Sequence, residues 1–252
     1  MIEIFILSAI QGITEFLPIS SSSHLILISK YLYFDNQSLS IDVSLHIGSF
    51  IAVLFYFYKD IISFFKNKII VFKIFISAIP VMFVGFFLVE TGIIEKIRNI
   101  KIIGFTTIIF GILLFISDRF KLEKNIDKSF TYKSALFIGF FQILSLVPGV
   151  SRSGIAITAA RLLNFKRNDA VKISFLISIP ILGAVSIFGI KNLILSDSLG
   201  FTYLNLLSII ISFFFSLITI KYFLSYINKF NLNIFVYYRV LLGLIILTIA
   251  YL

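Results

Sequence analysis

The sequence contains no cysteine, which excludes disulfides and thiolate metal sites. It is also short of charge. Only 13% of its 252 residues are Asp, Glu, Lys or Arg, against about a quarter in an ordinary soluble domain. Proline is nearly absent, and the four that occur, Pro18, Pro80, Pro148 and Pro180, all interrupt apolar stretches. A cleavable signal peptide is not expected. Met1 and Ile2 are followed by Glu3 instead of a basic region, and no small-residue cleavage site follows Ile10. The first apolar segment is therefore expected to stay in the mature protein.

What the chain has in place of charge is apolar length: 59% of its residues are hydrophobic. The useful unit of count is the membrane span, which needs about 20 mainly apolar residues. Six segments qualify: Asp42–Tyr58, Ile69–Val89, Ile102–Ser117, Ala170–Ile190, Tyr203–Tyr222 and Ile234–Leu252. Pro80 and Pro180 fall inside two of them, which a bundle tolerates because neighbouring groups satisfy the freed backbone.

Two further apolar stretches are interrupted. Ile4–Leu17 runs into Pro18 and four serines, then resumes as His24–Phe34. Ser134–Val147 runs into Pro148–Gly149 and Ser151–Arg152–Ser153, then resumes as Gly154–Phe165. Each half is too short to cross a bilayer. Such segments read as re-entrant hairpins with a polar tip at membrane depth, where irregular backbone survives only under cover of protein or beside a wet cavity. The two tips also resemble each other: Gln11 and Gln142 each precede apolar residues, a proline and a serine cluster.

The expected fold is thus an all-α polytopic membrane protein, with about six transmembrane helices and two re-entrant helical hairpins in an inverted repeat. It forms one integral membrane domain over residues 1–252. The first half, 1–117, carries hairpin 4–34; the second, 118–252, carries hairpin 134–165.

The formal net charge of +10 does not indicate a nucleic-acid partner. The basic residues are scattered through short loops, and no domain outside the spans could hold a groove. Basic loops belong on the cytoplasmic side of a membrane protein. If each hairpin returns to its own side, one face holds Lys30, Lys96, Arg98, Lys101 and Lys191. The other holds the richer loops Lys59 to Lys68, Arg119 to Lys133, Arg161 to Lys172 and Lys221 to Lys229, and is assigned to the cytoplasm. The first hairpin then enters from outside and the second from the cytoplasm, so that their tips can meet near the midplane, as in other inverted repeats with broken helices.

The tips hold the chemistry. Glu15 lies deep in an apolar segment, where an ionisable group is costly and suggests function. Gln11 stands one helical turn before it, on the same face. Ser20, Ser21, Ser22 and Ser23 precede His24, and such serines can cap a half-helix or bind an anion there. Pro148 and Gly149 end one half-helix, and Ser151 to Gly154 open the next, with their N–H groups pointing into the tip. Arg152 adds a guanidinium suited to gripping two phosphate oxygens; a salt bridge to Glu15 is its simplest resting state. A carboxylate, an imidazole, hydroxyls, a guanidinium and two helix N-termini suit phosphoryl chemistry. A polyanionic headgroup on an apolar tail would fit such a site. Among the remaining polar residues, His46 is read as structural.

The stretches "QGITEFLPISSSSHL", "DVSLHIGSFIAVLFYFYKD" and "PGVSRSG" resemble the undecaprenyl-diphosphate phosphatase, or bacitracin-resistance protein, family along the whole chain. The resemblance implies six transmembrane helices with two re-entrant hairpins, often as a homodimer, in the bacterial inner membrane. The implied activity is hydrolysis of undecaprenyl diphosphate to the monophosphate and phosphate. This recycles the carrier lipid of peptidoglycan synthesis and confers bacitracin resistance. A divalent cation, Mg²⁺ or Ca²⁺, is implied, with a site open to the outer face.

Carried onto this chain, the family's acidic motif falls on Gln11 and Glu15, its serines and histidine on Ser20, Ser21 and His24, and its second motif on Ser151, Arg152 and Ser153. Glu15, Ser21, His24 and Arg152 are the expected catalytic residues, with Glu15 also a metal ligand. Gln11, Ser20, Ser22, Gly149, Ser151, Ser153 and Gly154 are the expected substrate contacts. Many members carry Glu where this chain has Gln11, which weakens metal binding there. The second motif usually ends in Thr where Ala156 stands, and Thr158 lies on another face. Two routes stay open: Ser21 as nucleophile with His24 as its base, or a metal-activated water. A polyprenyl-phosphate flippase is the rival class, since broken helices serve transporters equally well; it has no need of Glu15 and His24 together.

The charge distribution predicts both termini outside. Reporter fusions after Lys124 should read cytoplasmic and fusions after Leu252 periplasmic; the reverse pattern would refute the inverted arrangement of the hairpins.

Overall fold

A computed structural model describes residues 1–32, 38–64, 68–195 and 202–252. The chain begins with α1 (Ile2–Thr14) and α2 (Ser21–Leu32), followed by α3 (Leu39–Tyr56) and the short α4 (Tyr58–Phe64). Next come α5 (Lys68–Glu90), the short α6 (Ile93–Ile97) and α7 (Ile100–Asp118). The second part contains α8 (Ile126–Ser129), α9 (Tyr132–Ile143) and α10 (Arg152–Leu162), then the long helices α11 (Arg167–Leu195), α12 (Tyr203–Ile227) and α13 (Asn233–Tyr251). No strand occurs among the described residues.

Six of these helices, α3, α5, α7, α11, α12 and α13, are long and apolar enough to cross a membrane, and they coincide with the six expected spans. Pro80 and Pro180 sit inside unbroken α5 and α11. The ends differ from expectation where polar residues start a helix. Helix α3 opens at Leu39, because Ser38 accepts from the Ile41 N–H and Asp42 sits in the favourable first turn. Helix α11 opens at Arg167, three residues before the expected span, because the polar Arg167, Asn168 and Asp169 form its first turn. Phe34, which ends the first expected hairpin, and Lys66 of the basic loops lie outside the described residues.

The two interrupted stretches form helix–break–helix units whose helices are 13 and 12 residues in the first and 12 and 11 in the second. Their breaks match in detail. Ser20 and Ser151 both adopt left-handed backbone, at φ 73° and 71°, and each immediately precedes the second helix. Gln11 and Gln142 stand at equal spacing before them. Packing follows the same correspondence: α1 lies against α12, whereas α9 lies against α5, and α7 pairs with α13.

Which end each unit uses can be read from its neighbours. Ile4 and Leu7 of α1 and Leu25 of α2 cluster with Ile41 and Leu45, near the start of α3, and with Leu204 and Leu207, at the start of α12. The second unit belongs to the opposite end. Tyr132, which opens α9, lies under the Lys73 ammonium near the start of α5. The residues closing α10 bond to the segment after α7, Lys124 N–H donating to Asn164 O at 3.0 Å.

That end is tied together by Asp118. Its Oδ1 accepts from Arg167 Nε at 2.7 Å and faces Arg161 Nε at 3.5 Å, while Oδ2 accepts from the Leu232 N–H at 3.2 Å. Arg161 is fully buried and also donates to the carbonyls of Lys121, Phe165, Phe120 and Asp118. One carboxylate thereby joins the ends of α7 and α10 to the starts of α11 and α13. Removing one partner of such a group leaves buried charge uncompensated, at a cost of about 3–5 kcal/mol. Asp118→Ala should therefore lower the melting temperature in detergent clearly. Lys121→Ala, whose ion pair to Glu123 at 3.6 Å is exposed, should not. Equal melting of the two variants would remove this anchor from the account.

Candidate active site

The two breaks meet inside the bundle. Glu15, the residue after α1, is buried, and its oxygens are divided between three partners. Oε1 accepts from Arg152 Nη2 at 2.8 Å. Oε2 accepts from Ser21 Oγ at 2.6 Å and from Gln11 Nε2 at 3.1 Å. Arg152 opens α10 and leaves 13% of its side chain exposed. The ion pair thus joins the acidic break to the basic one, as their sequences suggested. A second link runs beside it, Ser153 Oγ donating to Leu17 O at 2.7 Å.

The serines divide into two sets. Ser151 caps α10, its Oγ accepting from the Gly154 N–H at 3.1 Å and lying 3.2 Å from Ser153 Oγ. In the first break, Ser20 Oγ lies 2.9 Å from Ser23 Oγ and 3.4 Å from Ser22 Oγ. Ser22 is exposed, whereas Ser20 and Ser23 are buried. Gly149 is required by its backbone: its φ is +93°, and a Cβ there would stand 2.0 Å from Thr106 Oγ1. That hydroxyl donates to Pro148 O at 2.6 Å.

His24 is not placed as the base of Ser21. Its Nδ1 lies 2.7 Å from Ser20 O; a carbonyl can only accept, so Nδ1 carries the proton. Nε2 is left to the Tyr238 hydroxyl at 2.6 Å. The group in contact with the Ser21 hydroxyl is Glu15. The left-handed turn at Ser20 sets this phase, and spacing along the sequence does not convey it.

Three participants escaped the sequence reading. Tyr238 holds His24. Thr106 holds the second break. Arg239, a charge within the apolar run Ile234–Leu252, contacts both breaks: Nη1 donates to Pro18 O at 3.3 Å, and Nη2 donates to Gly149 O at 2.8 Å and Val150 O at 3.0 Å. The sole available signal was its ionisable side chain in hydrocarbon. His46, read as structural, donates from Nδ1 to Asp42 O at 2.8 Å. Ala156, where the related motif carries Thr, is packed in the apolar core.

The arrangement gathers one carboxylate, the guanidinium groups of Arg152 and Arg239 and several hydroxyls near the N-termini of α2 and α10, whose N–H groups favour an anion. Among the described residues, two buried polar atoms in it have no partner, Gln11 Oε1 and Arg152 Nη1. One can accept and the other can donate, so the site offers contacts to a ligand of mixed polarity. Among the described residues, no three His, Asp or Glu side chains gather as a metal site.

Comparison with known proteins agrees with the motifs. The family described as bacitracin resistance protein BacA matches residues 4–245. A protein named undecaprenyl-diphosphatase from Pelagibacter ubique (strain HTCC1062) is 48% identical over 252 residues, spanning 100% of this chain and 98% of that protein. Proteins of the same name from Jannaschia sp. (strain CCS1) and Aliivibrio salmonicida (strain LFI1238) are 36% and 41% identical, over 100% and 96% of this chain and 99% and 95% of theirs. With both breaks inside the matched region, the chain belongs to the bacitracin resistance protein BacA family.

Proposed function

We propose that this multi-pass membrane protein hydrolyses undecaprenyl diphosphate to undecaprenyl phosphate and inorganic phosphate, returning the carrier lipid to peptidoglycan synthesis and so conferring bacitracin resistance. The observation that carries this reading is the Glu15–Arg152 pair, which unites two helix breaks in an apolar bundle; the names of the full-length relatives support it. The breaks are the tips of two re-entrant hairpins, one in each half of an inverted repeat. The first enters from the outer face of the inner membrane, where the site opens. The matched left-handed serines and the corresponding helix packing support the repeat.

The residues divide the work. Arg152 turns from Glu15 to the diphosphate, gripping two oxygens with its planar fork. The N–H groups that open α2 and α10, with Ser20, Ser22, Ser151 and Ser153, bind the remaining oxygens; Gly149 and Gly154 keep the backbone close to them. Glu15, which lies 2.6 Å from the Ser21 hydroxyl in the paired state, can take its proton, or that of a water, once Arg152 has turned away. Attack on the terminal phosphorus breaks the phosphoanhydride bond, and undecaprenyl phosphate leaves. A phosphoserine, if formed, returns to serine by hydrolysis. His24, held at Nδ1 by Ser20 O and at Nε2 by the Tyr238 hydroxyl, reaches a phosphate oxygen only when Nε2 is protonated and released from Tyr238, and it does not act on Ser21.

A divalent cation, Mg²⁺ or Ca²⁺, fits this donor set only as one shared with substrate. Glu15 and the unpartnered Gln11 Oε1 supply two hard oxygens, and such ions take their remaining ligands from phosphate and water. Bound there, the cation would neutralise charge on the diphosphate. With Gln11 neutral, the chain contributes less to that binding than a Glu would.

Purified protein in detergent should release phosphate from a polyprenyl diphosphate, in a metal-dependent manner. Glu15→Gln should lose roughly 10²-fold or more of that turnover, the scale of a general acid–base group, and Gln11→Glu should keep activity and tighten the metal dependence. Lipid translocation without phosphate release would favour a flippase, and normal turnover by Glu15→Gln would leave Glu15 a structural role.

A further inference from the structure

Arg239 lies in the middle of α13 and is fully buried. Among the described residues no carboxylate comes within 4.0 Å of it. Its partners are four main-chain carbonyls: Thr107 O on Nε at 3.1 Å, Pro18 O on Nη1, and Gly149 O and Val150 O on Nη2. An isolated buried cation is costly unless it is hydrogen-bonded, so a full charge kept there has a specific use. The site itself makes room for it. A Cβ on Gly154 would stand 3.0 Å from Nη1, so any larger residue at the opening of α10 presses on the guanidinium.

We infer that Arg239 is a positioning residue of the phosphoryl site: its guanidinium fixes the first break, the second break and α7 to one another, and so sets the spacing of the two half-helix N-termini that take the diphosphate. The inference rests on the hydrolase reading above. A guanidinium is planar and carries five donors in a fixed fork, so carbonyls bound to its separate nitrogens cannot drift apart independently. Lysine would bring its donors to a single point and cannot span the same carbonyls. The charge also matters, since a positive group without a carboxylate partner favours an anion arriving between the tips. Thr106 supports the same geometry from α7 through Pro148 O alone.

The absence of cysteine allows a direct test. Cysteines introduced at Ile13 and Leu144, exposed residues beside the two breaks, can carry spin labels in protein purified in detergent. Their distance distribution is measured together with kcat and KM for phosphate release, well below the melting temperature. With Arg239 present the distribution should be narrow. Arg239→Gln should broaden or shift it and lower kcat about 100-fold, the scale expected when reacting groups are misplaced by about 1 Å. Arg239→Lys should fall between. A purely structural role would lower the melting temperature and leave both the distance and kcat of the folded protein unchanged; that result overturns the proposal. So does a change in distance without loss of kcat, or loss of kcat without a change in distance. If Arg239→Gln fails to insert, Thr106→Val must show smaller changes of both kinds, and unchanged values there refute the idea. Absence of phosphate release from the unsubstituted chain would refute the hydrolase reading instead, while the distances would still report on whether Arg239 holds the two breaks together.

Discussion

A helix broken inside an apolar bundle strands main-chain carbonyls away from water, each at a cost of several kcal/mol if left unpaired. Both breaks in this protein face that constraint, and side-chain donors answer it. Leu17 O receives Ser153 Oγ, Pro18 O receives Arg239, Pro148 O receives Thr106, and Gly149 O and Val150 O receive Arg239. Because these donors come from α7, α10 and α13, satisfying the breaks also fastens them to the bundle. The carbonyls are thereby consumed by protein. The N–H groups at the starts of α2 and α10 keep the opposite polarity, and that asymmetry makes the place suited to an anion.

The Glu15–Arg152 pair follows from the same reasoning. Neither charge could lie alone in this environment, and each is the other's partner at 2.8 Å. Burying such a pair is weak support for stability, because desolvation offsets the attraction. Its value is that it can be exchanged. A diphosphate supplies oxygens equivalent to those of the carboxylate, so Arg152 can change partners without being left unpaired, and Glu15 becomes available as a base in the same movement. In this account the resting pair and the working pair are two states of one arrangement.

Much of this was legible in the sequence because membranes impose simple rules. Six apolar runs became six helices, and two runs interrupted by Pro18 and Pro148 became broken ones. Glu15 and Arg152 stood out as charges that hydrocarbon does not tolerate singly. What could not be read was direction and distance. His24 and Ser21 are neighbours in sequence, yet the turn at Ser20 sends the imidazole to Tyr238 and the hydroxyl to Glu15. Arg239 is separated from Pro18 by 221 residues, and only the folded bundle brings it to the breaks. The openings of α3 and α11, Leu39–Ile41 and Arg167–Asp169, were missed because hydropathy marks the apolar span, whereas capping and first-turn residues decide where the helix begins.

The central claim is that the second break completes the site of the first, and Arg152 is where this can be measured most directly. Steady-state phosphate release from a polyprenyl diphosphate, taken beside thermal melting in detergent, should find Arg152→Lys strongly impaired and Arg152→Ala nearly inactive, with both variants inserted and folded. Lysine keeps the charge but lacks the fork that holds two oxygens. Equal activity of the Lys variant would show that point charge alone suffices. Full activity of the Ala variant would contradict the account, because it would remove the second break from the active site.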